Sequence, residues 1–153
     1  MEKEELVRLF SILIIVLAVI TIILGAVVLN LVALILLDES VEGANVAARA
    51  GISATVVFMI VFPIVLIVIS ILGMTVLEDN DTGLLIFNII SLVLIVISII
   101  AALAWFAIIP IIPTTEETEI YLVRVRATLV GAVIVLVIMA IMQLLKLIFQ
   151  TQT

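Results

Sequence analysis

The few ionisable side chains of this 153-residue chain limit the chemistry that it can perform. Six residues are Lys or Arg, twelve are Asp or Glu, and there is no histidine and no cysteine. Thiol nucleophiles, disulfides, imidazole proton relays and Cys/His zinc sites are therefore excluded. The acids cluster as DES, EDND and EETE, without the spacing of a calcium-binding loop. We therefore predict no catalytic centre, no metal site and no cofactor, and we do not expect an enzyme.

Two of the six basic residues, Arg124 and Arg126, lie near the start of an otherwise apolar stretch. Side chains two residues apart on a helix point in directions about 200° apart, so these two arginines cannot face one small pocket. Positions 120 and 122 are Ile and Leu, so neither arginine has an acid four residues earlier. We predict that both anchor the chain at a membrane interface, with apolar stems in hydrocarbon and charged heads at the lipid phosphates. The alternatives are pairing with loop acids or a neighbouring subunit, and a ligand or ion site.

Four further residues receive the same prediction of an interfacial anchor. Basic side chains near the ends of apolar runs snorkel towards the headgroups, and Trp and Tyr are enriched at the same level. The residues predicted to act in this way are Arg8, Lys146, Trp105 and Tyr121.

The overall composition indicates an integral membrane protein. Hydrophobic residues make up 67% of the chain and charged residues 12%, whereas a soluble domain has about 45–50% and about 25%. Membrane lipids are the expected surroundings. The net charge is −6, and no basic patch favours nucleic acid.

Four apolar runs, at about 6–37, 52–77, 84–112 and 120–149, each exceed the ~20 residues that span a bilayer. They are too long and too uniformly apolar for transmembrane strands, which alternate in polarity. The sequence predicts an all-α, four-helix transmembrane bundle in a single domain, residues 1–153, with short polar loops and antiparallel neighbours. Each side of the membrane receives three Lys or Arg residues, so the orientation is undetermined.

Three features predict irregularity in these helices. Pro63 should kink the second helix, and Pro110 should kink or end the third. The first run is 32 residues long, or about 48 Å of helix against about 30 Å of hydrocarbon. It should therefore break near Gly25 and Asn30, pack against protein outside the bilayer, or cross a thick membrane.

Small residues recur at spacings that favour close helix packing. Spacings of seven or four occur in three of the runs, and the residues concerned are Ser11, Ala18, Gly25, Ser91, Ser98, Ala127 and Gly131. The sequence leaves open whether these residues pack within one bundle or between subunits. Asn30 and Asn88 are expected to make interhelical hydrogen bonds.

No ionisable residue lies in the middle third of any run, although such residues mark most transporters and pumps. We therefore expect a structural integral membrane protein that packs with itself or with membrane-protein partners, as an accessory subunit or as a component of a virion envelope or filament. A small channel or transporter and an artificial sequence designed to fold in lipid are the alternatives. The structural protein and the channel differ in where four polar residues lie. A channel places them at a shared lumen, a structural protein in dry helix contacts, and they are Asn30, Asn88, Ser91 and Ser98.

Overall fold

A computed structural model describes residues 3–36, 51–75, 81–111 and 119–151. This part of the chain is entirely helical and contains four long helices. They are α1 (Lys3–Leu36), α2 (Gly51–Met74), α3 (Asp81–Ile108) and α4 (Glu119–Thr151). All four are long and apolar enough to cross a membrane. The prediction of an all-α chain with four helices of this kind is confirmed.

Two contacts show that α1 and α4 run antiparallel. Near one end the rings of Phe10 and Phe149 stack with their centroids 5.9 Å apart. Eleven residues further, near the middle of α1, the sulfur of Met139 lies 3.7 Å from the Thr21 hydroxyl oxygen, which donates to the Leu17 carbonyl at 2.9 Å. Each step forward in α1 therefore corresponds to one step back in α4, so residues at the same depth can be matched between the two helices.

Each helix buries one narrow stripe of residues. The buried positions alternate in steps of three and four, which is the seam of a left-handed, coiled-coil-like bundle. In α1 they are Ser11, Ile14, Ala18, Thr21, Gly25, Val28, Leu31 and Val32. In α3 they are Asn88, Ser91, Ile95, Ser98, Ala102 and Trp105, and in α4 Val125, Leu129, Ala132, Leu136, Met139, Gln143 and Lys146. The spacing of seven between small residues reflects this seam.

A π-helical turn, Val56–Val61, lies where the sequence predicts a kink in α2. The Phe62 amide donates to the carbonyl of Val57, five residues back. Pro63 lacks an N–H and its ring crowds the carbonyl four residues earlier. A wider turn before the proline accommodates both effects within a helix that continues to Met74.

The helix ends differ from the predicted ones by a few residues. α3 ends at Ile108 and a 3₁₀ turn, Ile109–Ile111, contains Pro110, so this proline ends the α-helix as predicted. α1 continues unbroken through Gly25 and Asn30, so of the three alternatives for its length the break does not hold, while packing against protein outside the bilayer and a thick membrane remain. Its intrahelical hydrogen bonds need no interruption, because Gly25 packs against α2 within a regular helix.

Candidate functional site

A group of polar side chains is buried where the start of α3 meets the end of α4. Asn88, Gln143 and Lys146 are 2%, 1% and 4% exposed. The Gln143 amide nitrogen donates to the backbone oxygen of Asn88 at 3.1 Å and to its side-chain oxygen at 3.3 Å. The Asn88 amide nitrogen in turn donates to the side-chain oxygen of Gln150. Lys146 lies on the same face of α4, three residues after Gln143 and four before Gln150, and we call these four residues the amide cluster.

The hydrogen bonds of the amide cluster run in one direction and end in an unused donor. The Asn88 oxygen is occupied by Gln143, so Asn88 presents its nitrogen to Gln150 and fixes the Gln150 oxygen towards itself. The remaining Gln150 nitrogen, Nε2, is buried and has no acceptor. Lys146 also has no hydrogen bond or ion pair within the described part of the chain. The cluster therefore has an excess of donors, which favours an acceptor or an anion.

The packing of the bundle explains why these four residues lie at the same end of its interior. Gln143 and Lys146 continue the three-and-four spacing of the α4 seam, and Gln150 follows Lys146 by four residues, on the same face. Asn88 begins the buried stripe of α3. Since α3 runs antiparallel to α4, the start of one helix stripe faces the end of the other.

Lys146 differs from its sequence prediction. It is predicted to snorkel from the outside of the bundle, but its side chain lies inside, in the α4 seam. Its position three residues after Gln143 places it on the buried face of the helix. The position of Lys146 on the buried face of α4, three residues after a glutamine, is the sequence signal for the amide cluster. Neither Gln143 nor Gln150 was predicted as a site residue.

Trp105 also lies inside the bundle rather than at an interface on its outside. The side chain is 1% exposed, and its indole nitrogen donates to the Thr55 hydroxyl at 2.9 Å. The six-membered ring lies so close to Gly51 that any side chain there would overlap it. Trp105 is therefore a core residue that joins the end of α3 to the start of α2, because its position continues the α3 seam.

The three arginines predicted as anchors lie on the outside. Arg8, Arg124 and Arg126 are all exposed, and Arg8 takes part in a further polar interaction. Tyr121 is half-buried and packs against the apolar cluster around Trp105. The positions of the two outer arginines on α4 agree with snorkelling, since nothing covers them within the described residues.

The predicted packing residues divide into an inner and an outer set. Five of them lie in the buried seams, namely Ser11, Ala18, Gly25, Ser91 and Ser98. Ala127 is exposed, and a side chain at Gly131 would meet no atom within 4 Å. The small-residue pair of α4 therefore faces outward, away from the contacts of its own bundle.

The two asparagines predicted to bond between helices also separate. Asn88 makes its interhelical bonds within the amide cluster. Asn30 is exposed on the outer face of α1 and has no hydrogen-bond partner in the described ranges, so the interhelical bond predicted for it is absent from its own bundle. The reason is its position around the helix axis, because Asn30 points about 200° away from Val28, which belongs to the buried stripe.

Three buried serines donate their hydroxyls within their own helices. Ser11, Ser91 and Ser98 donate to the carbonyls four residues earlier, at 2.8–3.0 Å. They act as small packing residues and leave no hydroxyl proton directed across the bundle.

Known proteins provide no relative for comparison. No family model matches the sequence, and no curated protein or solved structure is significantly similar to the chain. The functional argument therefore depends on the residues and contacts described above.

Proposed function

We propose that the protein is a structural integral membrane protein whose four helices form a transmembrane bundle with antiparallel neighbours and short polar loops, and that it packs with copies of itself in a lipid-embedded assembly. The observation that carries this proposal is Asn30, an exposed amide without a partner on an apolar helix face. An amide in hydrocarbon without a hydrogen bond is costly. A second polypeptide provides a hydrogen-bond partner for this amide, which lipid tails do not.

The depth of Asn30 supports its placement within the hydrocarbon. Thr21 contacts Met139, and nine further residues along α1 and nine back along α4 place Asn30 level with Val130. Val130 is four residues beyond Arg126, or about 6 Å of helix rise. If the outer arginines reach the headgroups, Asn30 lies well below that level and cannot reach them with its short side chain.

The outer face of α1 has the pattern of a second helix-packing seam. Seven of its exposed residues follow the same three-and-four spacing, and they are Ile12, Val16, Val19, Ile23, Ala26, Asn30 and Ala33. Leu9, Ile20 and Val27 are exposed beside them. A single asparagine within such a seam sets register and partner number in coiled coils. Copies inserted in the same orientation place their α1 helices parallel and at equal depth. The amide both donates and accepts, so two Asn30 side chains satisfy each other across a two-fold axis.

The interior supports a packed bundle better than a channel or transporter. Fully buried apolar side chains lie between the amide cluster and the Thr55–Trp105 hydrogen bond, and they are Ile14, Leu66, Ile95 and Leu136. The hydroxyls of Ser11, Ser91 and Ser98 donate to their own helices, so they do not support a continuous polar pathway among the described residues.

The proposal predicts a discrete oligomer that weakens when Asn30 is removed. Native mass spectrometry from lipid particles should show dimers or larger assemblies of the natural chain. Asn30→Leu should weaken association by about 3- to 20-fold, because interhelical amide bonds contribute about 0.6–1.7 kcal/mol in membranes. The matched control is Val130→Leu, which changes an exposed residue at the same depth.

Two results would contradict this proposal. A natural chain that remains monomeric in lipid at high protein-to-lipid ratio would overturn self-association. Equal association of the Asn30→Leu and Val130→Leu variants would leave self-association intact but would remove Asn30 from the interface.

A further inference from the structure

We propose that the amide cluster binds one phosphate group, which Lys146 and the unused amide nitrogen of Gln150 hold at the end of the bundle. This proposal does not depend on self-association, because all four residues belong to one chain. The shared chemistry is a phosphate oxyanion, which a phospholipid headgroup or free phosphate supplies.

One buried donor in the amide cluster lacks an acceptor. The chain of bonds from Gln143 through Asn88 to Gln150 fixes the orientation of the last amide and leaves its nitrogen without an acceptor. Buried polar atoms in proteins are rarely left unpaired. A group that accepts hydrogen bonds would complete the network.

The charge of Lys146 also favours an anion. Lys146 is 4% exposed and has no ion pair within the described ranges. A water molecule would satisfy the donors but would leave the ammonium charge uncompensated, which is strongly unfavourable in a low-dielectric interior. An oxyanion satisfies both requirements, and an ammonium with a neutral N–H is a common combination around phosphate.

The depth of the amide cluster also favours a phosphate group. Lys146 is five residues before Thr151, where α4 ends, or about 8 Å of helix rise. A four-carbon lysine stem spans most of that distance. The amide cluster therefore lies near the level at which phospholipid phosphates meet hydrocarbon, so a headgroup reaches it without crossing the bilayer.

Lipid binding followed by native mass spectrometry tests this proposal. The full chain in maltoside micelles is titrated with dioleoylphosphatidylglycerol, and in parallel with digalactosyl diacylglycerol, which lacks phosphate. We expect one tightly bound phosphatidylglycerol and no comparable galactolipid. A separate arm adds inorganic phosphate without lipid and records the melting temperature. Competition by inorganic phosphate indicates a site open to free oxyanion, whereas its failure to compete identifies the lipid headgroup as the source.

Three variants show whether the amide cluster is the site. Lys146→Met and Gln150→Leu should each weaken phosphatidylglycerol binding about 10- to 100-fold, as expected for loss of a hydrogen bond to a charged group. Arg126→Met removes an exposed cation from the opposite end of the bundle and should leave binding unchanged. The melting temperature of each variant verifies that it is folded, and Gln150→Leu retains the lysine if Lys146→Met does not fold.

The proposal is overturned if neither phosphatidylglycerol nor inorganic phosphate binds, or if galactolipid binds equally well. It is also overturned if folded Lys146→Met binds like the natural chain. Loss of binding with Lys146→Met but not with Gln150→Leu would identify a lysine that snorkels without a built site, and would overturn the proposal as well.

Discussion

Replacing Trp105 with alanine should lower the free energy of unfolding by about 3–5 kcal/mol, the usual cost of truncating a large buried side chain. The ring is 1% exposed and fills the space left by Gly51. Its indole nitrogen donates to Thr55, whose hydroxyl in turn donates to the Gly51 carbonyl at 2.8 Å. Alanine removes the ring and leaves a cavity between the start of α2 and the end of α3. Denaturation in mild detergent measures the change.

Trp105→Phe is the matched control for this prediction. It keeps an aromatic side chain but removes the indole hydrogen bond and the part of the ring that lies against Gly51. We therefore expect a loss smaller than that of the alanine variant, about 1–3 kcal/mol. An interfacial tryptophan on the outside of the bundle would behave differently, since its alanine variant would lose little stability in detergent. A loss below about 1 kcal/mol for Trp105→Ala would contradict the core position.

The second large effect is expected at Gly25, where α1 lies close to α2. A β-carbon at this position would lie 2.9 Å from the Met59 Cβ and 3.3 Å from the Met59 carbonyl oxygen. Gly25→Leu should therefore destabilise the protein by about 1–3 kcal/mol through overpacking. The neighbouring atoms belong to the root of a side chain and to the backbone, so they cannot move aside easily.

Gly131→Leu provides the opposite case on the outer face of α4. No atom lies within 4 Å of a β-carbon there, and leucine has a helix propensity better than that of glycine by almost 1 kcal/mol. We expect unchanged or slightly higher stability, measured by the same denaturation. If both leucine variants were equally stable, the close approach of α1 to α2 at Gly25 would be wrong.

The helices were predictable from sequence because length and polarity determine them. Runs of about 30 apolar residues separated by polar breaks leave few alternatives to membrane-spanning helices. The π-helical turn before Pro63 is harder to predict, because a proline can also produce a kink. Whether Pro63 produces a π-helical turn or a kink depends on whether the surrounding helices permit a wider turn, and the sequence does not specify that.

The site residues were predictable only in part, because residue type and helical phase give different answers. Lys146 and Trp105 have the chemistry of interfacial anchors, but both continue the buried spacing of their helices. Asn30 and Asn88 have the same chemistry and opposite phases. Once the buried seam of a helix is known, the spacing of a residue from the seam residues shows whether it faces inward or outward. The direction of the hydrogen bonds from Gln143 to Gln150 depends on three side chains from two helices, and no local pattern encodes it.

The central claim, that copies associate through the outer face of α1, is tested most directly by cysteine cross-linking in membranes. The natural chain has no cysteine, so one introduced residue gives an unambiguous product. Three exposed alanines, Ala33, Ala104 and Ala127, lie at about the same depth on α1, α3 and α4 when the Thr21–Met139 and Asn88–Gln143 contacts are extended along the helices. Each leaves Asn30 in place when it is replaced by cysteine.

We expect oxidation to cross-link the Ala33→Cys variant into a covalent dimer, with much less product from Ala104→Cys and Ala127→Cys. The cross-linked Ala33→Cys yield should fall when Asn30→Leu is added. Equal yields at all three positions would indicate random collision, and no dimer at Ala33 would contradict the account. Preferential cross-linking at Ala127 would also contradict it, and would assign the contact to the outward small-residue face of α4.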